Sequence, residues 1–345
     1  MTSFRAPARV NLIGGQVDYH EGLVVGIAAD LDVFVAGTAR TDGRILVTSR
    51  EITGVVDVAA DGSDDPTTVS PPWGRAVAGV ARALAERDRP AIGADLAITS
   101  TIPIGAGLSS SAAFEVAVAL ALNDAAGFAL APTDLARAAQ RAEHLALGVP
   151  CGIQDQFTSI AGVAGCAIRI DCRTLAVEAI PIPDGLGVVV VHSGVTRTLE
   201  GSPWAARRAE SFAVAERLGL RVLRDATPEQ VAHEPRGRHV VTEIARVDAF
   251  ADALRGGDID ALGPLLLASH ASSRDNMQVS IAELDALVDA FVAAGAYGAR
   301  LTGGGFGGCV VALVPAARAD AIAQEVADGL QAWVMRAAPG AGPIR

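Results

Sequence analysis

Residues 103–114 read PIGAGLSSSAAF, and the rest of the chain is arranged around them. Gly105 and Gly107 allow a tight turn and a close backbone approach to a ligand, because neither carries a Cβ. Ser109, Ser110 and Ser111 lead into a strongly apolar helix predicted over about 110–126, with Gly127 at its end. The free N–H groups and positive dipole end of such a helix suit an anion. The serine hydroxyls can reach phosphate oxygens or a divalent cation. The Gly-Lys-Ser/Thr ending of a Walker A loop is missing. A bare GxG before a helix is more often a capped turn than a ligand site. The longer run of strand, PxGxGLSSS and helix is far rarer by chance.

Upstream, β-rich stretches run over 4–13, 22–38 and 44–49, and 94–103 alternates as a strand. The segment 59–72 carries Asp, Gly, Ser, Thr and three prolines and reads as a loop. Trp73, Val77, Val80 and Leu84 then fall at helical spacing before Pro90. Downstream, Thr133 reads as the N-cap of a helix ending at Gly148. Residues 164–180 read as a hairpin, PIPDG (181–185) as a linker and GVVVV (187–191) as a buried strand. Helical patterns dominate 202–295, strands flank GGGFGG (303–308), and a last helix is expected near 316–333. Strands and helices mix without regular βα alternation, which predicts an α+β fold. The linker divides it into residues 1–182 and 183–345.

The 345 residues are 50% hydrophobic, enough for two cored domains. A net charge of −11 repels phosphate backbones and anionic lipid, and 4% aromatics leave little surface for stacking bases. The expectation is a chain with neither nucleic acid nor membrane as partner. A phosphate donor is still compatible, since Mg²⁺ and local N–H groups can reverse the field inside one pocket. The opening MTSFRAPARV lacks an apolar signal core, and apolar stretches are broken by Glu115, Asn123 and Asp124. Cys151, Cys166, Cys172 and Cys309 form no CxxC pair and no zinc spacing. The reading is reduced thiols in a cytoplasmic protein.

In order along the chain, RAPARVNLIGGQVDYHEG (5–22), PIGAGLSSSAAFEVA (103–117) and LTGGGFGGCVVAL (301–313) resemble the three signatures of the GHMP kinases. CGIQDQFTS (151–159) and SHASSRDNMQVSIAELDALV (269–288) resemble segments of the galactokinase branch. The resemblance implies a two-domain GHMP kinase fold, ribosomal-S5-like first and ferredoxin-like second, with the active site in the cleft between them. It implies ATP and Mg²⁺ as cofactors and a small sugar as substrate, and leaves the oligomeric state open. By resemblance, Gly105, Ala106, Gly107, Leu108, Ser109, Ser110 and Ser111 hold the triphosphate, and Ser111 and Glu143 hold Mg²⁺. Asp155 matches the catalytic aspartate and Arg9 its partner. Asp18, Gly15, Gln16, Tyr19, Gly152 and Trp204 fall on the sugar-binding positions. Without the resemblance, Glu143 reads as a solvated helix-face carboxylate, Asp155 as a turn cap, Arg9 as a surface strand residue and Asp18 as an Asx-turn residue. The chemistry is coherent. A carboxylate within hydrogen-bond reach of a sugar hydroxyl can accept its proton or orient it. In a loose phosphoryl-transfer transition state, positioning and charge stabilisation count for most.

One motif departs from the pattern. Galactokinases resembling this chain read GEHTDY where this one reads GGQVDY, so Gly15 replaces a glutamate and Gln16 a histidine. Those residues sit near the sugar's exocyclic C6 hydroxyl, so at least one hydrogen bond to it is lost. Plant L-arabinokinases resemble the chain here, and L-arabinose has the galactose stereochemistry without C6. Ala8 replaces a usual Gly, Trp204 a usual Tyr and Gln154 a usual Met. The expected function is a sugar 1-kinase acting on galactose or a galactose-configured sugar. L-arabinose or another C6-modified sugar is the alternative substrate. A non-catalytic sugar and ATP sensor on the same fold is the alternative of another class. Such sensors lose part of the phosphate loop or the catalytic aspartate, and both are present here. VDYHEG and CGIQDQF count against a mevalonate-type kinase.

Overall fold

From Ala6 to Ile13 every residue of the first strand, β1 (Thr2–Ile13), is buried. The computed structural model describes residues 2–103, 105–148, 150–196 and 203–344. β1 pairs antiparallel with β2 (Leu23–Arg40), which is long enough to pair with several neighbours in turn. β3 (Arg44–Ser49) and β4 (Val55–Ala59) form a hairpin, and α1 (Gly74–Ala85) leads to β5 (Gly93–Ser100). The sheet order is β1-β2-β5-β3-β4, with β3 and β5 the parallel pair. The apolar α2 (Ser110–Ala125) packs on β1 and β2, and α3 (Pro132–Leu147) packs on α1 and α2. α4 (Gln154–Ala161) lies against β1, and the hairpin β6 (Cys166–Asp171) and β7 (Val177–Pro181) adds to β2.

The second sheet begins with β8 (Leu186–His192). Helices α5 (Pro203–Arg217), α6 (Pro235–Gly256), α7 (Ile259–Ser272) and α8 (Ala282–Ala293) follow, then β9 (Gly298–Thr302), β10 (Cys309–Pro315), α9 (Ala319–Ala327) and β11 (Ala332–Met335). Its order is β11-β8-β10-β9, all antiparallel. The valine run of β8 is buried on both faces. Val188 and Val190 join the core shared with the first sheet, and Val189 and Val191 join the core under α8 and α9. Successive side chains of a strand point to opposite faces, so a strand between two cores reads as an unbroken apolar run. The chain then returns to the first sheet, where β12 (Gly342–Pro343) pairs with β1. No helix among the described residues is long and apolar enough to cross a membrane.

Four local readings are corrected. The helix expected to start at Thr133 starts at Pro132, with Ala131 as its cap and no side-chain bond there. Proline at the first helical position presets φ for the helix and removes one N–H that would need a cap. β4, between the strand expected over 44–49 and the loop expected over 59–72, was not foreseen. The last helix stops at Ala327, because Asp328 and Gly329 turn left-handed at φ 42 and 90, and β11 follows. The helix α4 was not foreseen.

Candidate active site

Arg9 and Asn11 lie two residues apart in an unbroken register of β1, so their side chains leave the same face. Arg9 Nε and Nη2 donate to the two carboxylate oxygens of Asp155, each at 2.7 Å. The fork matches the carboxylate, which makes the pair specific in orientation as well as strong. Asp155 sits in the first turn of α4, and Ser109 Oγ also donates to it. Arg9 also holds the glycine–serine loop before α2, through Nη1 to the Gly107 carbonyl at 3.1 Å and its backbone N–H to the Leu108 carbonyl at 3.3 Å.

The loop makes three left-handed turns before α2, at Gly105 (φ 77), Gly107 (φ 75) and Ser109 (φ 58). Gly105, Gly107, Ser109, Ser110 and Ser111 line a cleft shared with Arg9 and Asp155. Ala106 and Leu108 do not line it: at 2% and 1% exposure they anchor the loop in the core. Cys309 Sγ donates to the Ala106 carbonyl at 2.8 Å, tying this loop to the glycine-rich turn between β9 and β10. From that turn, Gly303 and Gly304 reach the same cleft. Ile104 lies outside the described residues.

Glu143 is buried on α3, not solvated. It accepts bonds from Ser111 Oγ at 3.1 Å, Gln156 Nε2 at 2.6 Å and the Cys151 thiol at 3.0 Å. Burial and the Glu143 charge push the Cys151 thiol up, which keeps it a donor. Glu115 is raised well above the usual carboxylate range by burial, then by Glu143 and by Asp155. Three acidic groups thus crowd the end of the phosphate loop. Ser111 and Glu143 supply hard oxygen donors there, a set that fits Mg²⁺ completed by phosphate and water.

Asp18 and Tyr19 lie in a single 3-10 turn at the far end of the cleft. Asp18 Oδ1 accepts the Tyr19 N–H at 3.0 Å. Gly152 packs against this carboxylate so closely that a Cβ would sit 1.8 Å from Asp18 Oδ2. Burial, then the charge of Asp155, raises the Asp18 carboxyl to about 6. Gln16 Oε1 accepts from Trp204 Nε1 at 2.9 Å and from the Tyr19 hydroxyl at 3.1 Å. Gly15 faces Arg300: a Cβ there would lie 2.4 Å from Arg300 Nη2.

The comparisons agree on one family. The model of the GHMP kinases N terminal domain matches residues 75–163, that of the GHMP kinases C terminal matches 250–331, and the galactokinase galactose-binding signature matches 2–39. A galactokinase of Chloroflexus aggregans is 44% identical over 331 residues, covering 92% of this chain and 84% of its own. One of Roseiflexus sp. is 40% identical over 363 residues, covering 99% and 92%. The chain belongs to the galactokinase family of the GHMP kinases. The crystal structure of Lactococcus lactis galactokinase complexed with galactose superposes with a TM-score of 0.93 at 29% identity, covering 99% of this chain and 95% of that one. A mevalonate kinase at 17% identity and a TM-score of 0.71 shares the fold. The α+β, two-domain GHMP kinase architecture is therefore established.

Within this galactokinase-family cleft, the structure gathers Arg9, Gly15, Gln16, Asp18, Tyr19, Glu143, Gly152, Asp155 and Trp204 with the loop glycines and serines. Two expectations change. The Gln16 oxygen is committed to protein donors, and the space beside Gly15 belongs to a guanidinium. Sequence reasoning missed the residues behind this wall. Arg300, fully buried, donates to Asn11 Oδ1 at 2.6 Å. Glu243 on α6 accepts the Gly14 N–H at 3.0 Å, and His239 Nε2 bonds the Gly15 carbonyl at 3.0 Å. Burial opposes charge on Glu243, yet Arg300, His239 and Arg246 outweigh it and bring the carboxyl down to about 2. Asn11 had a signal: it stands in the first signature at strand period from Arg9. His239 and Glu243 lie in an ordinary helical stretch and had none.

Proposed function

We propose that this chain transfers the γ-phosphoryl group of ATP to the anomeric hydroxyl of galactose. The near-full-length likeness to galactokinases carries this reading. In it, Gly105, Gly107 and Ser109 to Ser111 hold the triphosphate with backbone and hydroxyl donors, while Ala106 and Leu108 fix the loop from below. Ser111 and Glu143 would hold Mg²⁺, which supplies charge neutralisation at the phosphates. Asp155 takes a hydrogen bond from the attacking hydroxyl, in exchange for the one it accepts from Ser109, and orients or deprotonates it. Arg9 fixes that carboxylate and offsets charge on the transferring group. Asp18 accepts from two sugar hydroxyls, with Tyr19, Gly152, Gln16 and Trp204 forming the wall. The same reading makes the chain a cytoplasmic enzyme, with residues 1–182 and 183–345 as its domains.

A coupled ADP-release assay over galactose, L-arabinose, galacturonate, N-acetylgalactosamine and mevalonate tests it. Galactose is expected to stimulate turnover most; no stimulation by any sugar would overturn the assignment. Neither Gly15 nor Gln16 offers a free acceptor to C6. L-arabinose is therefore expected within about tenfold of galactose in kcat/KM. A galactose preference above about a thousandfold would show that another group reads C6.

A further inference from the structure

Two side-chain amides that line the cleft, Asn11 and Gln154, have a buried NH2 group without a partner among the described residues, and Asn11 is the one whose orientation a neighbour fixes. Asn11 is 2% exposed and lines the same cleft as Arg9 and Gly15. Its Oδ1 accepts from Arg300 Nη1 at 2.6 Å, and its backbone carbonyl accepts from Thr302 Oγ1 at 2.9 Å. Its Nδ2 is buried and has no partner among the described residues. The amide cannot be turned over, because a guanidinium only donates and must face the oxygen. Arg300 is itself held from behind by the Leu12 carbonyl at 3.4 Å and by the charge of Glu243, which Ser269 and Arg246 fix in turn. A buried donor left without a partner is costly, so a position built to hold one so rigidly is suited to an acceptor that arrives.

We propose that Asn11 is a substrate-binding residue, whose Nδ2–H donates to a hydroxyl oxygen of the bound sugar, with Arg300 as the positioning residue that aims it. This rests on the sugar-kinase reading above. A sugar hydroxyl fits better than a phosphate. The Arg300 partner of Asn11 faces Gly15, one of the proposed sugar positions, whereas Ser109 bonds Asp155 and Ser111 bonds Glu143.

The test is calorimetric titration of the full chain with galactose, with the five galactose analogues lacking one hydroxyl each, and separately with a non-hydrolysable ATP analogue. Asn11→Ala removes the donor. Asn11→Asp keeps the shape and the Arg300 partner but cannot donate when ionised. Both variants are expected to bind galactose about tenfold or more weakly, and to bind the ATP analogue as the wild type does. One deoxy sugar, the one lacking the partner hydroxyl, should bind the wild type and both variants alike. Unchanged galactose affinity in Asn11→Asp would overturn the proposal. So would a uniform loss across all five analogues, or a parallel loss of the ATP analogue. If the wild type itself fails to bind galactose, the sugar-kinase reading falls first and this inference with it.

Discussion

At the scale of single residues, Arg9 makes four hydrogen bonds from one position: to both oxygens of Asp155 and to the Gly107 and Leu108 carbonyls of the glycine–serine loop. The carboxylate proposed to meet the acceptor hydroxyl is therefore locked to the loop proposed to hold the phosphates. Asp155→Asn keeps the size and loses the charge. Turnover is expected to fall by about 10²-fold or more with ATP affinity retained, measured by single-turnover kinetics and nucleotide titration; near-normal turnover would return Asp155 to a capping role. Asp18 works differently, because its carboxyl is raised to about 6 by burial and then by Asp155. Its ionised, doubly accepting form prevails above that pH, so galactose affinity should weaken as pH falls through about 6, and Asp18→Asn should bind weakly without that dependence. The sign for stability is the reverse. The folded state binds this proton more tightly than the unfolded chain, so Asp18 costs stability as pH rises toward 6, and Asp18→Asn should raise Tm at pH 8. Gly15 shows why a motif difference is not a missing atom. The lost side chain leaves no hole, because Arg300 stands 2.4 Å from where a Cβ would be. A glutamate restored at 15 would meet that guanidinium before it met a ligand.

Among elements, the turn from β5 into α2 supplies five of the residues that line the cleft, Gly105, Gly107, Ser109, Ser110 and Ser111. Left-handed residues at 105, 107 and 109 shape this turn, and all three line the cleft. A Cβ at Gly107 would find ordinary room, 3.7 Å from Gly308 Cα, so space does not forbid a side chain there. The backbone does: φ 75 is a conformation that β-branched residues scarcely adopt. Gly107→Val is thus expected to distort the loop and weaken ATP binding while the circular dichroism spectrum stays normal; unchanged nucleotide affinity would reduce the loop to a turn. β8 shows the opposite relation between sequence and element. Its valine run carries no alternation to read, because both faces are buried. Its membership of a sheet was legible, but not which core each valine enters. The missed α4 has a similar cause. Eight residues are too few for a helical period to stand out, and packing on β1 and β6 stabilises what propensity alone would not.

For the molecule as a whole, the two sheets share a continuous core through Val188, Val190, Val311 and Leu313. Behind the cleft, Glu243 links α6 to the Gly14–Gly15 turn of the first sheet and compensates Arg300 from the second. Glu243→Gln would leave Arg300 buried without its counter-charge. Urea unfolding should show a loss of about 3 kcal/mol, with a weaker sugar affinity because the Asn11–Arg300 wall loosens. A loss below about 0.5 kcal/mol would mean the charges are compensated elsewhere. The sequence alone determined the glycine–serine turn before α2, the three ordered signatures and the α+β class. Each of these is written within a short window, as a glycine that permits a left-handed turn, a helical or strand period, or a run of serines at a helix start. Only the tertiary structure decided that Gln16 answers Trp204, that Gly15 is filled by Arg300, and that Asn11 has its oxygen occupied and its nitrogen free. Arg300 and Asn11 are 289 residues apart. Nothing in either local pattern specifies the other, because their meeting depends on two sheets packing through one core and not on the conformation of any single segment.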